Sequence, residues 1–166
     1  MRNPDARWLP PVMLIAALIG CAGNQQPARP AADTAAITAT LDSLNQAFVA
    51  AVAARDTDAV VGFYADEAQV LPAGMPRADG HDAIRAVWVG MLQTPGLELN
   101  FTGSKPTITE AGDMVIDVGS YSMKMQDKKG KPMEDVGKYV TIFKKVDGAW
   151  KIVVDTFNSD KAPPGM

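Results

Sequence analysis

Few residues in this chain combine a reactive side chain with a spacing that gives it a partner. The clearest are Lys138 and Asp155, which flank the dipeptide Asp147-Gly148. Asp-Gly favours the tightest hairpin turns. Pairing Val146 with Ala149 around it predicts one sheet face carrying Lys138, Val140, Ile142, Val153, Asp155 and Phe157. On that face Lys138 and Asp155 are diagonal neighbours among apolar residues, close enough to form an ion pair. In a dry pocket such a pair has shifted pKa values and either binds a polar ligand group or moves a proton. The plainer alternative is a half-buried salt bridge that closes the core. The opposite face carries Tyr139, Phe143, Trp150, Ile152 and Val154. A second set, Phe63, Tyr64, Met75, Trp88 and Met91, offers large or adaptable side chains that line an apolar ligand cavity or simply fill a core. One histidine (His81) and one cysteine (Cys21) exclude a histidine-cluster or multi-thiolate metal site, and a disulfide framework with it. There is no phosphate-binding loop, Ser-His-Asp set or dinucleotide fingerprint, so neither a metal nor a cofactor is expected. With 16 basic against 19 acidic residues, a net charge of −3, the chain has no basic surplus for nucleic acid.

These residues need elements to hold them. Ile37, Leu41, Leu44, Phe48, Ala51 and Val52 recur at helical spacing behind Asp33-Thr34, which can cap the helix. Asp56 or Asp58 caps a short second helix running through Phe63-Tyr64, and Ala68 to Leu71 is a short strand ended by Pro72. Asp79 and Asp82 approximate a capping box for a third helix that buries Ile84, Val87, Trp88, Met91 and Leu92. Beyond Pro95-Gly96 everything reads as strand, over 97–102, 105–110, 114–126, 135–146 and 149–158, and no internal repeat is expected. Helices followed by hairpin-linked strands predict an α+β domain, with helices covering one face of an antiparallel sheet.

The N-terminus reads differently. Arg2 and Arg7 precede an uncharged stretch from Trp8 to Ile19, too short for the roughly 20 residues that span a bilayer. That is the layout of a secretory signal. Its end, Leu18-Ile19-Gly20-Cys21, resembles the lipobox of bacterial lipoproteins. The resemblance implies cleavage after residue 20 and a lipidated N-terminal Cys21. Ala22, where retained lipoproteins carry aspartate, implies outer-membrane anchoring facing the periplasm. Three acyl chains would make the anchor effectively permanent, at about 0.8 kcal/mol per buried methylene. Losing Arg2, Arg7 and Asp5 leaves 14 basic and 18 acidic residues, a net of −4 on the mature chain. Residues 21–32, with two prolines and no periodic apolar face, read as a flexible tether, 33–160 as the folded domain and 161–166 as a tail.

Within that domain, Phe48-Val49-Ala50-Ala51, Arg55-Asp56-Thr57-Asp58 and Phe63-Tyr64-Ala65-Asp66-Glu67-Ala68 together resemble the start of the nuclear transport factor 2-like superfamily. Gly80-His81-Asp82-Ala83-Ile84, Gly137-Lys138-Tyr139-Val140, Asp147-Gly148-Ala149-Trp150-Lys151-Ile152 and Asp155 to Asp160 continue the resemblance, which is nearest to the SnoaL-like and ketosteroid-isomerase-like branches. It implies a cone, three N-terminal helices on a curved sheet, with an apolar pocket at the open end and homodimers made through the sheet. It also implies that the Asp155–Phe157 face lines the pocket. The isomerases' carboxylate base before a proline and their oxyanion tyrosine are not matched, because Leu71 and Phe48 stand there. Neither residue supplies a titratable group or a donor. The expected function is therefore a lipid-anchored protein that binds a small apolar or amphipathic molecule. The alternatives are an isomerase, dehydratase or cyclase using Lys138 and Asp155, and an interaction module whose outer face carries Tyr139, Phe143, Trp150 and Ile152.

Overall fold

Asp33 caps the first helix as its position predicts, its carboxylate accepting from the Ala36 N–H at 3.0 Å. Helix α1 runs over Thr34–Ala54 and buries Leu41, Phe48, Ala51 and Val52. Arg55 ends it in the left-handed conformation, φ 55°. The Arg55 guanidinium then reaches the carbonyls of Leu92 and Thr94, tying the end of α1 to the end of the third helix. Asp56 caps helix α2 (Thr57–Val61). The computed structural model describes residues 32–161. The signal segment and Cys21 expected from the sequence lie outside them. Among the described residues no helix is long and apolar enough to cross a membrane.

The remaining elements are β1 (Tyr64–Pro72), β2 (Ala78–Asp79), α3 (Gly80–Leu92), β3 (Glu98–Ile108), β4 (Met114–Gln126), β5 (Pro132–Val146) and β6 (Ala149–Ser159). They make the nuclear transport factor 2-like fold, with the helices packed on a curved six-stranded sheet of order β2-β1-β6-β5-β4-β3. Every neighbouring pair is antiparallel except β1 and β6, which run parallel. Three local expectations change. The second helix stops at Val61, and Tyr64 opens a strand instead. The two strands expected over 97–110 are one, interrupted by an irregularity between Thr102 and Lys105. Asp79 makes no cap bond to α3, because its carboxylate is turned to Arg77 at 3.0 Å.

The core fills the concave side of the sheet. Phe48 on α1 is its hub, with ring centroids 5.3 Å from Phe63, 5.2 Å from Trp88 and 6.1 Å from Phe101. Edge-to-face aromatic contacts of this kind contribute beyond simple area burial.

Candidate functional site

A single extra residue decides which side chains meet at the site. Near the turn the β5–β6 register follows the expected pairing, with Val146 opposite Ala149 and Phe143 opposite Ile152. The next pair is Ile142 with Val154, so Val153 is bulged out. A one-residue slip transfers every later side chain to the other face. Asp155 and Phe157 thus stay on the concave side, but opposite Thr141 and Tyr139. Lys138 goes to the outside, where it pairs with Asp160 at 2.6 Å. The Lys138–Asp155 pair expected from the sequence does not form. Tyr139, Phe143, Trp150 and Ile152, expected outside, turn inward to the core instead.

The corrected register builds a polar row across an otherwise apolar wall. Asp117 on β4, Thr141 on β5 and Asp155 on β6 are direct cross-strand partners. They are the three buried polar or charged residues of the described chain. Asp155, 7% exposed, accepts from the Tyr64 hydroxyl at 2.8 Å and from Thr141 Oγ1 at 3.3 Å. Trp88 Nε1–H in turn donates to the Tyr64 hydroxyl at 3.1 Å. Burial pushes the Asp155 carboxyl up to about 6, against the downward pull of the Tyr64 and Thr141 hydrogen bonds. Burial, and then the neighbouring Asp155 carboxylate, push the Tyr64 phenol well above its usual range. His81 serves this arrangement from behind, with Nε2 donating to the Tyr64 carbonyl at 3.0 Å.

Above this row lies a cavity between α1, α3 and the sheet. The centre of a water molecule can occupy about 50 Å³ of it, several times what one water needs, at about 10–15 Å³. Half of its lining residues are aromatic, and Asp155 is the one carboxyl among them. Asn45 enters from α1, and no Lys, Arg or His lines the cavity.

Its sheet wall is made by a short repeat that the sequence reading missed. Asp117-Val118-Gly119-Ser120-Tyr121 on β4 and Asp135-Val136-Gly137-Lys138-Tyr139 on β5 share the pattern Asp-Val-Gly-x-Tyr. Antiparallel register sets Gly119 opposite Tyr139 and Tyr121 opposite Gly137. Each tyrosine lies across the other strand's glycine and donates to the other strand's aspartate. Tyr121 reaches Asp135 at 2.8 Å, and Tyr139 reaches Asp117 at 3.0 Å. The glycines are there for close approach. A Cβ on Gly119 would stand 2.6 Å from the Tyr139 hydroxyl, and one on Gly137 would stand 2.5 Å from the Tyr121 ring. Ser104 and Ser159 hydroxyls complete the two aspartates, at 2.6 Å and 2.5 Å. Both tyrosines line the cavity, and burial with the facing carboxylate raises both phenols.

Of the residues singled out in the sequence, Phe63, Trp88, Met91, Asp155 and Phe157 line this cavity. Tyr64 stands behind it, holding Asp155. Met75 is 55% exposed in a turn and Lys138 is on the outer surface, so neither reaches the cavity. Asn45, Tyr121, Tyr139 and Thr141 were missed. The recurrence of Asp-Val-Gly-x-Tyr was the available signal for the two tyrosines.

The sequence model of the SnoaL-like domain matches residues 45–153. No curated protein matches the chain. Among solved structures the chain is similar to a ketosteroid isomerase-like protein from Erwinia carotovora atroseptica, at 18% identity and a TM-score of 0.66 over 75% of this chain and 96% of that one. It is similar to a hexachlorocyclohexane dehydrochlorinase from Novosphingobium barchaimii, at 15% identity and 0.68 over 80% and 93%. A nuclear transport factor 2-like protein from Novosphingobium aromaticivorans gives 13% identity and 0.62 over 78% and 89%. At these identities the likeness is one of fold.

Proposed function

The chain belongs to the SnoaL-like domain family, and from that premise we propose that it is a lipid-anchored envelope protein that holds a small, largely apolar molecule in its cone. The observation that carries this reading is the cavity, an aromatic enclosure with a single buried carboxyl in its wall. Apolar enclosure supplies affinity, and one placed polar group fixes orientation. Structurally similar proteins include an isomerase-like protein and a dehydrochlorinase. A reaction by this chain would have to run without Lys138, which is paired on the outside. The anchoring part of the proposal is supported by Leu18-Ile19-Gly20-Cys21, and its outer-membrane, periplasm-facing part by Ala22 after the cysteine.

One preparation tests both parts. Protein extracted from membranes with detergent has an intact mass that starts at Cys21 and includes the acyl chains. On denaturation it releases a small molecule that Lys138→Met protein also carries and Asp155→Asn protein has lost. A mass including residue 1, or an unmodified Cys21, would overturn the anchoring. Equal ligand recovery from all three proteins would remove Asp155 from the site.

A homodimer through the convex face is supported by a different set of residues from those expected. Ile116 and Val118 are 39% and 46% exposed there, with Val140, Ile142 and Val154 beside them on the paired strands, while Val136, 47% exposed, lies beyond the Ser120–Lys138 pair. A contiguous apolar sheet face of this kind marks an association surface. Val118→Lys at its centre is expected to convert a dimer to a monomer in sedimentation velocity without lowering the thermal midpoint of the monomer. A wild type that sediments as a monomer at every concentration would sink the dimer.

A further inference from the structure

The cavity of the proposed binding site is furnished for one sign of charge. Asp155 sits in its wall with two hydroxyl partners and no cation. Asp117 and Asp135, one strand or two away on the same concave face, are likewise met by tyrosine and serine hydroxyls alone. The Lys and Arg ion pairs among the described residues are Arg77–Asp79, Arg85–Asp58 and Lys138–Asp160, with the His81 ring 3.9 Å from Asp66, and none of these contacts includes the three aspartates. A buried carboxylate is normally paired with a cation. Here the place where the cation would stand is the cavity itself. Each carboxylate oxygen can accept two bonds. Asp155 Oδ2 holds one short bond from Tyr64 and Oδ1 one long bond from Thr141, so acceptor capacity remains. Half of the lining residues present rings, among them Phe48, Phe63, Trp88, Phe101 and Tyr139, and most of the others are aliphatic or methionine side chains. Ring faces are negative and attract a cation within about 6 Å, more strongly where water is excluded. An anionic ligand would meet the carboxylate and the negative ring faces. A neutral alcohol would use only the hydrogen bond.

We propose that the molecule held in this cavity is a small hydrophobic amine bound as its ammonium ion, its charge set against Asp155 and its apolar part against the aromatic rings. This rests on the small-molecule reading above and specifies the ligand's class. Benzylamine, benzyl alcohol and benzoate differ little in size and test it by charge. With the full-length protein at pH 7.5, calorimetric titration is expected to show benzylamine binding at least about tenfold tighter than benzyl alcohol. Benzoate is expected to bind weakest. Asp155→Asn is expected to bring amine and alcohol to similar affinities, the amine losing far more than the alcohol. The wild type supplies a second readout. Lowering the pH from 7.5 to 5 should remove most of the amine's advantage, as Asp155 takes up a proton. The ionisable groups facing Asp155 are Tyr64 from β1, Tyr139 from β5 and, two strands along the same row, Asp117 from β4. Both phenols are raised and stay neutral through that range. If the alcohol binds as tightly as the amine, or the amine's advantage survives in Asp155→Asn or at pH 5, the cationic ligand is wrong while the binding cavity stands. If none of the three binds the wild type, the small-molecule reading falls too.

Discussion

Gly137→Ala should lower the stability of the domain by about 3 kcal/mol, the upper end of what forced overpacking costs. Its Cβ would stand 2.2 Å from the Asn158 carbonyl oxygen, a backbone atom of β6, and 2.5 Å from the Tyr121 ring. Backbone in the middle of a sheet cannot give way without breaking the β5–β6 ladder, and the Tyr121 ring cannot leave without giving up Asp135. For a domain of this size the change corresponds to a fall of about 10 °C in the melting midpoint. Gly119→Ala is the matched comparison. The atoms nearest its Cβ are those at the end of the Tyr139 ring, at 2.6 to 2.8 Å. The Tyr139 side chain can shift where a backbone carbonyl cannot, but only by giving up its bond to the buried Asp117, so this variant should lose less than Gly137→Ala, about 2 kcal/mol. The displaced ring would move toward the cavity, so Gly119→Ala should also weaken ligand binding more than its stability loss explains. Urea denaturation of the two variants decides the matter. A Gly137→Ala protein within experimental error of the wild type would mean that the crossed tyrosines are not rigidly seated.

The repeat also shows where the sequence was readable and where it was not. Helix α1 and its Asp33 cap, the Asp147-Gly148 turn and the placing of Asp155 and Phe157 on the cavity side all followed from periodicity, turn chemistry or resemblance. Local rules sufficed for each of the first two because the residues that decide them are neighbours. The partners of Asp155 were not legible. Its register depends on the bulge at Val153, and Val153-Val154 carries no glycine or proline to announce one. Local spacing puts Tyr64 at a helix end, yet Tyr64 pairs with Ile152, far along the chain. The Asp-Val-Gly-x-Tyr repeat was plain in the letters, but its meaning comes from the antiparallel register that brings each glycine under the other strand's tyrosine. What failed was long-range pairing, which no window of neighbouring residues contains.

Asp155 gives the second large effect, and its sign is the opposite of the usual buried carboxylate in an ion pair. Its folded-state pKa of about 6 lies above the unfolded value of 3.8, burial being the main cause. Below the unfolded value both states hold the proton, and Asp155 costs nothing. As pH rises from there toward 6 the unfolded chain releases the proton and the folded chain retains it, so stability falls with rising pH. Above 6 the full cost stands. At 1.36 kcal/mol per pKa unit it is about 3 kcal/mol. Asp155→Asn keeps an acceptor for Tyr64 and removes the charge. Relative to the wild type, the variant should gain about 2.5 kcal/mol between pH 4 and pH 8, nearly all of it below pH 7. Taking the difference between the two proteins cancels the titration of the exposed carboxylates. A difference that stays flat across that range would show that Asp155 is not buried as a charge. The cost also bears on function. A folded domain that keeps an ionised aspartate among aromatic rings is less stable empty than it could be. A ligand that supplies the missing positive charge recovers part of that loss on binding. Stability is given up where affinity is gained, so adding the amine should raise the wild-type melting temperature most near pH 8, where the empty cavity is least stable.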